Sequence, residues 1–256
     1  MEVDTTFRRR YFGKSIIAMK GTITSLLLFT LSLAHAQVVI KPGDPIIRDT
    51  LIKPSHQFYK GILADSSGRI LYEWVNDQVI TADRARGRIV FARSRQEPVG
   101  NYFTDTSVTD LSFKPLRMHE MRANQDISIE MTFGDLAADV HILRKGVPSD
   151  RSYPMKSGYF EDNMIEYVYG YLDLKKGIVY MLDDFNKDAP SPSDPVTIEY
   201  VLDDIWTLDT GIRLNCRMLR FAHGSTTGYI WIDKETRAMV KEVGNNKGST
   251  FSITKI

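Results

Sequence analysis

Apolar and polar side chains alternate along most of the chain after residue 56, and this alternation limits the fold more than any other feature. Segment 211–221 shows it most clearly: Ile212, Leu214, Cys216 and Met218 share one face, and Arg213, Asn215 and Arg217 share the other. A repeat of two residues is that of a half-buried β-strand, whereas an amphipathic helix repeats every 3.6 residues. The sequence therefore predicts a strand here, with its apolar face toward the core.

Similar segments follow one another, separated by short runs of residues that favour turns. Further strands are predicted at residues 57–64, 69–75, 87–92, 116–122, 127–133, 139–142, 178–185, 196–206, 228–233, 238–243 and 249–254. Helical spacing of apolar residues predicts a single short helix at 162–172. The predicted fold class is mainly β: a single strongly curved antiparallel sheet, an open half-barrel, with this one short helix packed on it.

The N-terminal 36 residues have the features of an export signal. The apolar run at 26–33 is shorter than the roughly 20 residues that cross a membrane as a helix. Five Lys and Arg residues precede it, and Ala34-His35-Ala36 follows with the small residues that a signal peptidase accepts. We expect cleavage after Ala36, with translation beginning at Met1 or Met19, and a single β-rich domain at 37–256 in the periplasm. A retained membrane anchor is the alternative.

Charge and cysteine content exclude several classes of protein. Without residues 1–36 the chain has 28 Lys and Arg residues against 30 Asp and Glu residues. This balance argues against a nucleic-acid partner, which selects for a basic excess. Cys216 is the only cysteine, so intramolecular disulfides and multi-cysteine metal sites are excluded.

No catalytic constellation is evident, and we predict a non-enzymatic protein without metal or cofactor. The histidines that remain after cleavage lie on separate segments and form no metal-binding pair on one helix turn. The carboxylate pairs at 183–184 and 203–204 are interpreted as polar strand ends. An envelope hydrolase built from His119, His141 and nearby carboxylates is the alternative, as is a protein-interaction module.

Two groups of residues are candidates for ligand binding. Arg84, Arg86 and Arg88 share one face if their segment is extended, and their guanidinium groups suit an anionic head group. The second group consists of aromatic residues that a curved sheet could arrange around a cavity. Its predicted members are Tyr180, Trp206 and Trp231.

Two segments resemble a known family. Residues 105–117 (DTSVTDLSFKPLR) and 228–237 (GYIWIDKETR) are similar to those that start a strand and form a C-terminal hairpin in the uncharacterised periplasmic domain-of-unknown-function family 3108. More distantly, the layout resembles the lipoprotein-carrier fold, in which an open half-barrel covers a hydrophobic cavity. Family 3108 has no catalytic motif, so the resemblance implies no active-site residue. The lipoprotein-carrier fold covers its cavity with helices, and this chain has one predicted helix that could serve as such a lid.

These observations favour a periplasmic binding or scaffolding domain. The predicted ligand is a lipid or another hydrophobic or amphiphilic small molecule, held on a concave apolar face. A membrane surface or an envelope protein is the other class of partner expected for an exported domain of this kind.

Overall fold

The computed structural model describes residues 37–97, 100, 102–155, 158–185 and 195–256. The predicted export signal lies outside these residues. The strands are β1 (Val38–Ile40), β2 (Ser55–Ala64), β3 (Ile70–Asp83), β4 (Arg88–Gln96), β5 (Tyr102–Asp110), β6 (Pro115–Arg122), β7 (Ile127–Phe133), β8 (Ala137–Arg144), β9 (Val147–Pro154), β10 (Phe160–Glu161), β11 (Val179–Leu182), β12 (Asp184–Phe185), β13 (Val196–Thr207), β14 (Arg213–His223), β15 (Thr226–Asp233), β16 (Met239–Asn246) and β17 (Ser249–Lys255). Helix α1 (Asp162–Val168) continues into a 3-10 turn at Tyr169–Tyr171, and two further 3-10 turns lie at Asp49–Leu51 and Ala123–Gln125.

Fifteen of these strands form one sheet, in the order β1-β11-β13-β14-β15-β16-β17-β2-β3-β4-β5-β6-β7-β8-β9. Strand β17 pairs with β2, so the C-terminal meander continues directly into the N-terminal one. Among the described residues no pairing joins the edge strands β1 and β9, and the sheet stays open. The predicted mainly β fold, with one curved open sheet and one short helix, is confirmed. Two short pairings, β1 with β11 and β10 with β12, are parallel rather than antiparallel.

Helix α1 lies against the face of the sheet that we call the core face. On one side the helix start approaches β5, where Ser107 Oγ donates a hydrogen bond to Glu161 at 2.5 Å. On the other side Ile165 borders a cavity together with Ile230 and Ile253 of β15 and β17. Since five strands separate β5 from β15 in the sheet, the sheet must curve around the helix. The opposite face is called the outer face below.

The core face is filled by apolar side chains. Phe91 of β4 packs against Tyr167 of α1 with ring centroids 4.9 Å apart, and Tyr171 packs against Phe113 at 5.9 Å. Burial of such large side chains is the main contribution that stabilises the fold, at roughly 25 cal/mol per Å² of apolar surface. No described helix is both long enough and apolar enough to span a membrane.

The structure reverses the predicted orientation of strand β14. Leu219 and Phe221 are buried on the core face, together with Arg217, which is 7% exposed. Among the residues that the alternation assigned to the core, Ile212 is 56% exposed and Leu214 and Met218 are partly exposed, although Cys216 is buried. The prediction was wrong because the sequence alone gives no partner for a buried arginine, whereas here Arg217 donates hydrogen bonds to two backbone carbonyls, at 2.8 and 3.0 Å.

Candidate functional site

A cavity of about 840 Å³ opens on the outer face of the sheet. Its walls come from seven strands that are consecutive in the sheet, β11, β13, β14, β15, β16, β17 and β2. The lining side chains that point to this face include Val179, Thr197, Ala222, Thr227, Val243, Ser252 and Ile62. Because strands that are six places apart in the sheet line one cavity, the sheet is bent around it. We call this cavity the outer-face groove.

Glycines on adjacent strands allow this bend. Gly228 and Gly244 are paired across β15 and β16. A methyl group on Gly228 would lie 2.7 Å from the ring of Phe221, and one on Gly244 would lie 2.4 Å from the ring of Phe251. The aromatic rings thus cover bare backbone on the core face, which is how glycine permits sharp curvature in a sheet.

The groove is largely apolar, with one charged pair in its wall. Arg220 of β14 and Glu199 of β13 lie opposite each other and form an ion pair. The arginine side chain is 59% exposed, so its guanidinium remains accessible to a bound molecule. Tyr229 lies on the same face and extends the groove toward Trp231, with ring centroids 6.4 Å apart.

Two of the predicted ligand-binding residues lie together next to Tyr229, just outside the lining of this groove. The rings of Trp206 and Trp231 are 5.8 Å apart, and the ammonium group of Lys241 lies 3.9 Å above the ring of Trp206. Trp231 Nε1 donates a hydrogen bond to Asp204 at 2.7 Å. Burial lowers the pKa of Lys241, which nevertheless supplies a cation next to two aromatic faces.

The other predicted residues lie elsewhere. Tyr180 is 3% exposed on the core face, where its hydroxyl accepts a hydrogen bond from the amide of Lys175 at 3.1 Å. Arg84 and Arg86 lie in the β3–β4 turn, and Arg88 begins β4. The predicted extended arginine face does not form, because the chain reverses direction there. Ile62 in the groove wall pairs with Glu73 of β3, and the turn begins about ten residues further along that strand. The turn is therefore roughly 30 Å from the groove.

His119 and His141 lie in one cross-strand row on β6, β7, β8 and β9. The pairing places His119 opposite Glu130, Glu130 opposite His141, and His141 opposite Asp150. His141 Nδ1 lies 2.5 Å from the Asp150 carboxylate. These histidines and carboxylates are all exposed on an open strand surface, and none of them lines the outer-face groove.

A group of buried charges surrounds the start of α1. Arg93 of β4 donates a hydrogen bond to Asp105 of β5 at 2.8 Å, and both side chains are at most 10% exposed. Burial raises the pKa of Asp105, while Arg93 lowers it. Burial also raises the pKa of Glu161 to about 7, although hydrogen bonds from Ser107 and Asn163 oppose this shift. These groups hold α1 against β4 and β5 through polar contacts.

Two further carboxylates are buried that the sequence pattern did not predict. Asp184 was interpreted as part of a polar strand end, but the residue is 0% exposed and its carboxylate lies 3.3 Å from His223 Nε2. Glu242 is 4% exposed on the core face of β16. The one sequence signal for the burial of Glu242 is its position two residues after the apolar Val240, since alternate residues of a strand point to the same face.

The curved open sheet, its single helix and the groove define a half-barrel β domain. The chain's sequence matches the model of a family described as protein of unknown function (DUF3108) over residues 60–250. The chain belongs to this family, which confirms the resemblance seen in the sequence.

One solved structure supports the fold assignment, and a second is similar at a lower score. A β-barrel-like protein of domain of unknown function DUF1849 from Brucella abortus is similar, with a TM-score of 0.55 at 8% identity, covering 82% of this chain and 97% of that one. A putative exported protein with a YmcC-like fold from Bacteroides fragilis has a TM-score of 0.30 at 8% identity, over 78% of this chain and 93% of that one. No curated protein matches the sequence.

Proposed function

We propose that this protein is a non-enzymatic domain of the bacterial envelope that holds a hydrophobic or amphiphilic small molecule in the outer-face groove. The observation that carries the proposal is the groove itself, which is about 840 Å³ in volume and has a mostly apolar lining surface. Ligand sites for small molecules typically measure 300–1,000 Å³ and combine apolar walls with a few polar groups.

The site differs from the one expected from the sequence. The sequence pattern predicted a ligand on the concave apolar face, but helix α1 and aromatic rings such as Phe91 and Tyr167 occupy the core face. The groove instead uses the other face of strands β13–β17. An apolar chain fits along Ala222 and Val243, and a polar head group fits near Arg220 and Tyr229.

Export to the periplasm is part of this proposal and depends on the signal predicted at residues 1–36. In that compartment, amphiphiles that leave the membranes need a protein surface to shield their apolar chains from water. A groove that is open along one side suits binding and release without a large conformational change.

The test is displacement of the dye N-phenyl-1-naphthylamine by sodium laurate, with native mass spectrometry of the protein purified from periplasm. We expect dye fluorescence to rise on binding and to fall as laurate is added. Ala222→Trp fills the groove and should reduce dye binding at least tenfold. Ser149→Trp, on the exposed edge strand β9, is the matched control and should bind as the wild type does.

The proposal fails if the dye does not bind, or if both tryptophan variants bind it equally well. Thermal unfolding of each variant checks that the fold is intact. Loss of binding in Ala222→Trp alone, together with a mass increment on the native protein, supports the groove as the site.

A further inference from the structure

Three side chains of metal-binding type meet at the start of helix α1. Asp162 opens the helix, Asp184 lies on β12, and His223 ends β14. One donor atom from each residue lies within 4.8 Å of the other two. No metal site was predicted from the sequence because these residues are far apart along the chain. The pairing of β10 with β12, and of β13 with β11 and β14, brings them together.

The separation of two of these donors suits adjacent ligands of one ion. His223 Nε2 and Asp184 Oδ2 are 3.3 Å apart. Ligand atoms at about 2.0–2.1 Å from a tetrahedral zinc ion are roughly 3.3 Å from each other. Imidazole together with carboxylates is a ligand set for zinc and similar transition metals, whereas calcium and magnesium select oxygen ligands alone.

A second observation comes from the cavity beside these residues. It measures about 240 Å³ and is lined by Asp162 and His223 on one side and by Glu242 on β16. The Glu242 residue is 4% exposed, and its Oε2 atom has no hydrogen-bond partner. A buried carboxylate oxygen without a donor is costly, so a cation or an ion-bound water in this cavity would stabilise it.

The local charges point the same way. Asp162, Asp184 and Glu242 contribute three carboxylates to this region, beside the single imidazole of His223. Arg93 borders the helix from β4, but it already pairs with Asp105 at 2.8 Å and reaches Glu166 at 4.0 Å. Asp162 and Glu242 border the same cavity, and a cation there would interact favourably with both side chains.

We infer that Asp162, Asp184 and His223 bind one divalent transition-metal ion of the zinc class. Three protein ligands leave one position of a tetrahedral ion open. That position faces the 240 Å³ cavity, where the Glu242 carboxylate can accept a hydrogen bond from a bound water. The site lies on the core face, whereas the proposed amphiphile groove lies on the outer face, so the two are independent.

The experiment uses the exported protein after removal of metals with EDTA. It is dialysed against ZnCl₂, and bound zinc is measured by mass spectrometry of the elements. We expect about one zinc ion per chain and a higher midpoint of thermal unfolding, because a ligand that binds the native state stabilises it. Cobalt(II) in place of zinc should give the visible absorption bands of a four-coordinate ion.

Three variants locate the site. His223→Gln and Asp162→Asn should lower the bound zinc to below a tenth of the wild-type value. His141→Gln is the matched control, since it removes an exposed histidine that also pairs with an aspartate, and it should keep the full amount. Circular dichroism confirms that each variant is folded.

The inference is overturned if the wild type binds no stoichiometric zinc, which would make the Asp184–His223 contact an ordinary ion pair. It is equally overturned if both site variants keep the metal. If a variant does not fold, the cobalt spectrum and the thermal shift of the wild type decide. Dye binding to the groove should not change with EDTA, so failure of one proposal can be distinguished from failure of the other.

Discussion

Arg217 shows how a charged side chain stabilises the interior of this protein. Its guanidinium donates hydrogen bonds to the carbonyls of Leu172 and Gly170, at 2.8 and 3.0 Å. These carbonyls belong to the end of the helical segment, where the last peptide groups have no partner within a helix. A cation at this position also interacts favourably with the helix dipole. A strand residue therefore fixes the C-terminal end of the helix.

Replacing Arg217 by alanine should lower the free energy of unfolding by about 2–3 kcal/mol, because hydrogen bonds that involve a charged group contribute roughly 1.5–3 kcal/mol. Urea denaturation followed by circular dichroism measures the change. Arg213→Ala, at an exposed position of the same strand, should change the value by less than about 0.5 kcal/mol. Equal effects of the two substitutions would contradict the role assigned to Arg217.

Cys216 is fully buried, and burial raises the pKa of its thiol to about 11. Only the thiolate reacts with alkylating agents. Since the pKa lies about two units above the usual value, the native thiolate at pH 8 is about 100-fold scarcer than in unfolded protein. Because the folded state favours the neutral thiol, the contribution of this group to the free energy of unfolding falls as the pH rises from about 9 toward 11.

We therefore expect iodoacetamide to modify native Cys216 at pH 8 at least 100-fold more slowly than the same residue in urea, with the native rate rising up to about pH 11. A time course by intact-protein mass spectrometry measures both rates. Equal rates in the two conditions would show that the thiol is accessible and not perturbed.

At the scale of elements, three strand glycines allow close contacts that side chains would block. Gly61, Gly228 and Gly244 lie beneath aromatic rings, and a methyl group on Gly228 would also come within 2.1 Å of the carbonyl oxygen of Val243. Such contacts cannot be relieved by rotating one flexible side chain, since backbone atoms are involved. The bend that shapes the outer-face groove therefore depends on these positions.

Gly228→Ala should lower the midpoint of thermal unfolding by several degrees, because forcing an extra methyl group into a packed region costs typically about 1–3 kcal/mol, and each kcal/mol shifts the midpoint by about 2–4 °C in a domain of this size. Gly134→Ala is the control, since its methyl group would meet only one atom within 4 Å, at 3.3 Å. Differential scanning calorimetry compares the two. An unchanged midpoint for Gly228→Ala would mean that the sheet is not tightly bent at this point.

The sequence predicted those strands that bury apolar residues on one face. It did not predict strands that bury polar residues or that are exposed on both faces. Strand β5 was not predicted because its buried residues are Asp105, Ser107 and Thr109, which show no hydrophobic alternation. Strand β9 was missed because it is exposed on both faces along almost its whole length. The groove and the buried carboxylates depend on pairing register and curvature, which sequence spacing does not contain.

At the scale of the whole molecule, the apolar core has two parts. The larger cluster joins α1 to strands β2–β4 and β13–β17. The smaller one lies under β6–β8 and includes Met118, Ile129, Met131, Phe133, Val140, Tyr159 and Phe185. Strand β9 pairs with β8 and is the edge strand of the sheet, so the strands above the smaller cluster end the sheet on that side.

This division predicts that the β6–β9 end of the sheet opens separately from the rest. Opening that end breaks contacts in the smaller cluster but leaves the successive strand pairings from β13 through β17 to β2 intact. It therefore requires less free energy than global unfolding. Met131→Ala removes a side chain that is 2% exposed in the smaller cluster, and Ile230→Ala removes one that is 1% exposed in the larger cluster.

Hydrogen–deuterium exchange with mass spectrometry should separate the two variants. Truncation of a buried side chain to alanine costs about 2–5 kcal/mol. In Met131→Ala this loss should accelerate exchange in peptides from β6–β9 by at least tenfold. Peptides from β14–β16 should exchange as in the wild type. Ile230→Ala should accelerate exchange in β14–β16, because those strands form the wall of the larger cluster. If Met131→Ala accelerates exchange evenly throughout the sheet, the two clusters unfold together and the sheet is a single cooperative unit.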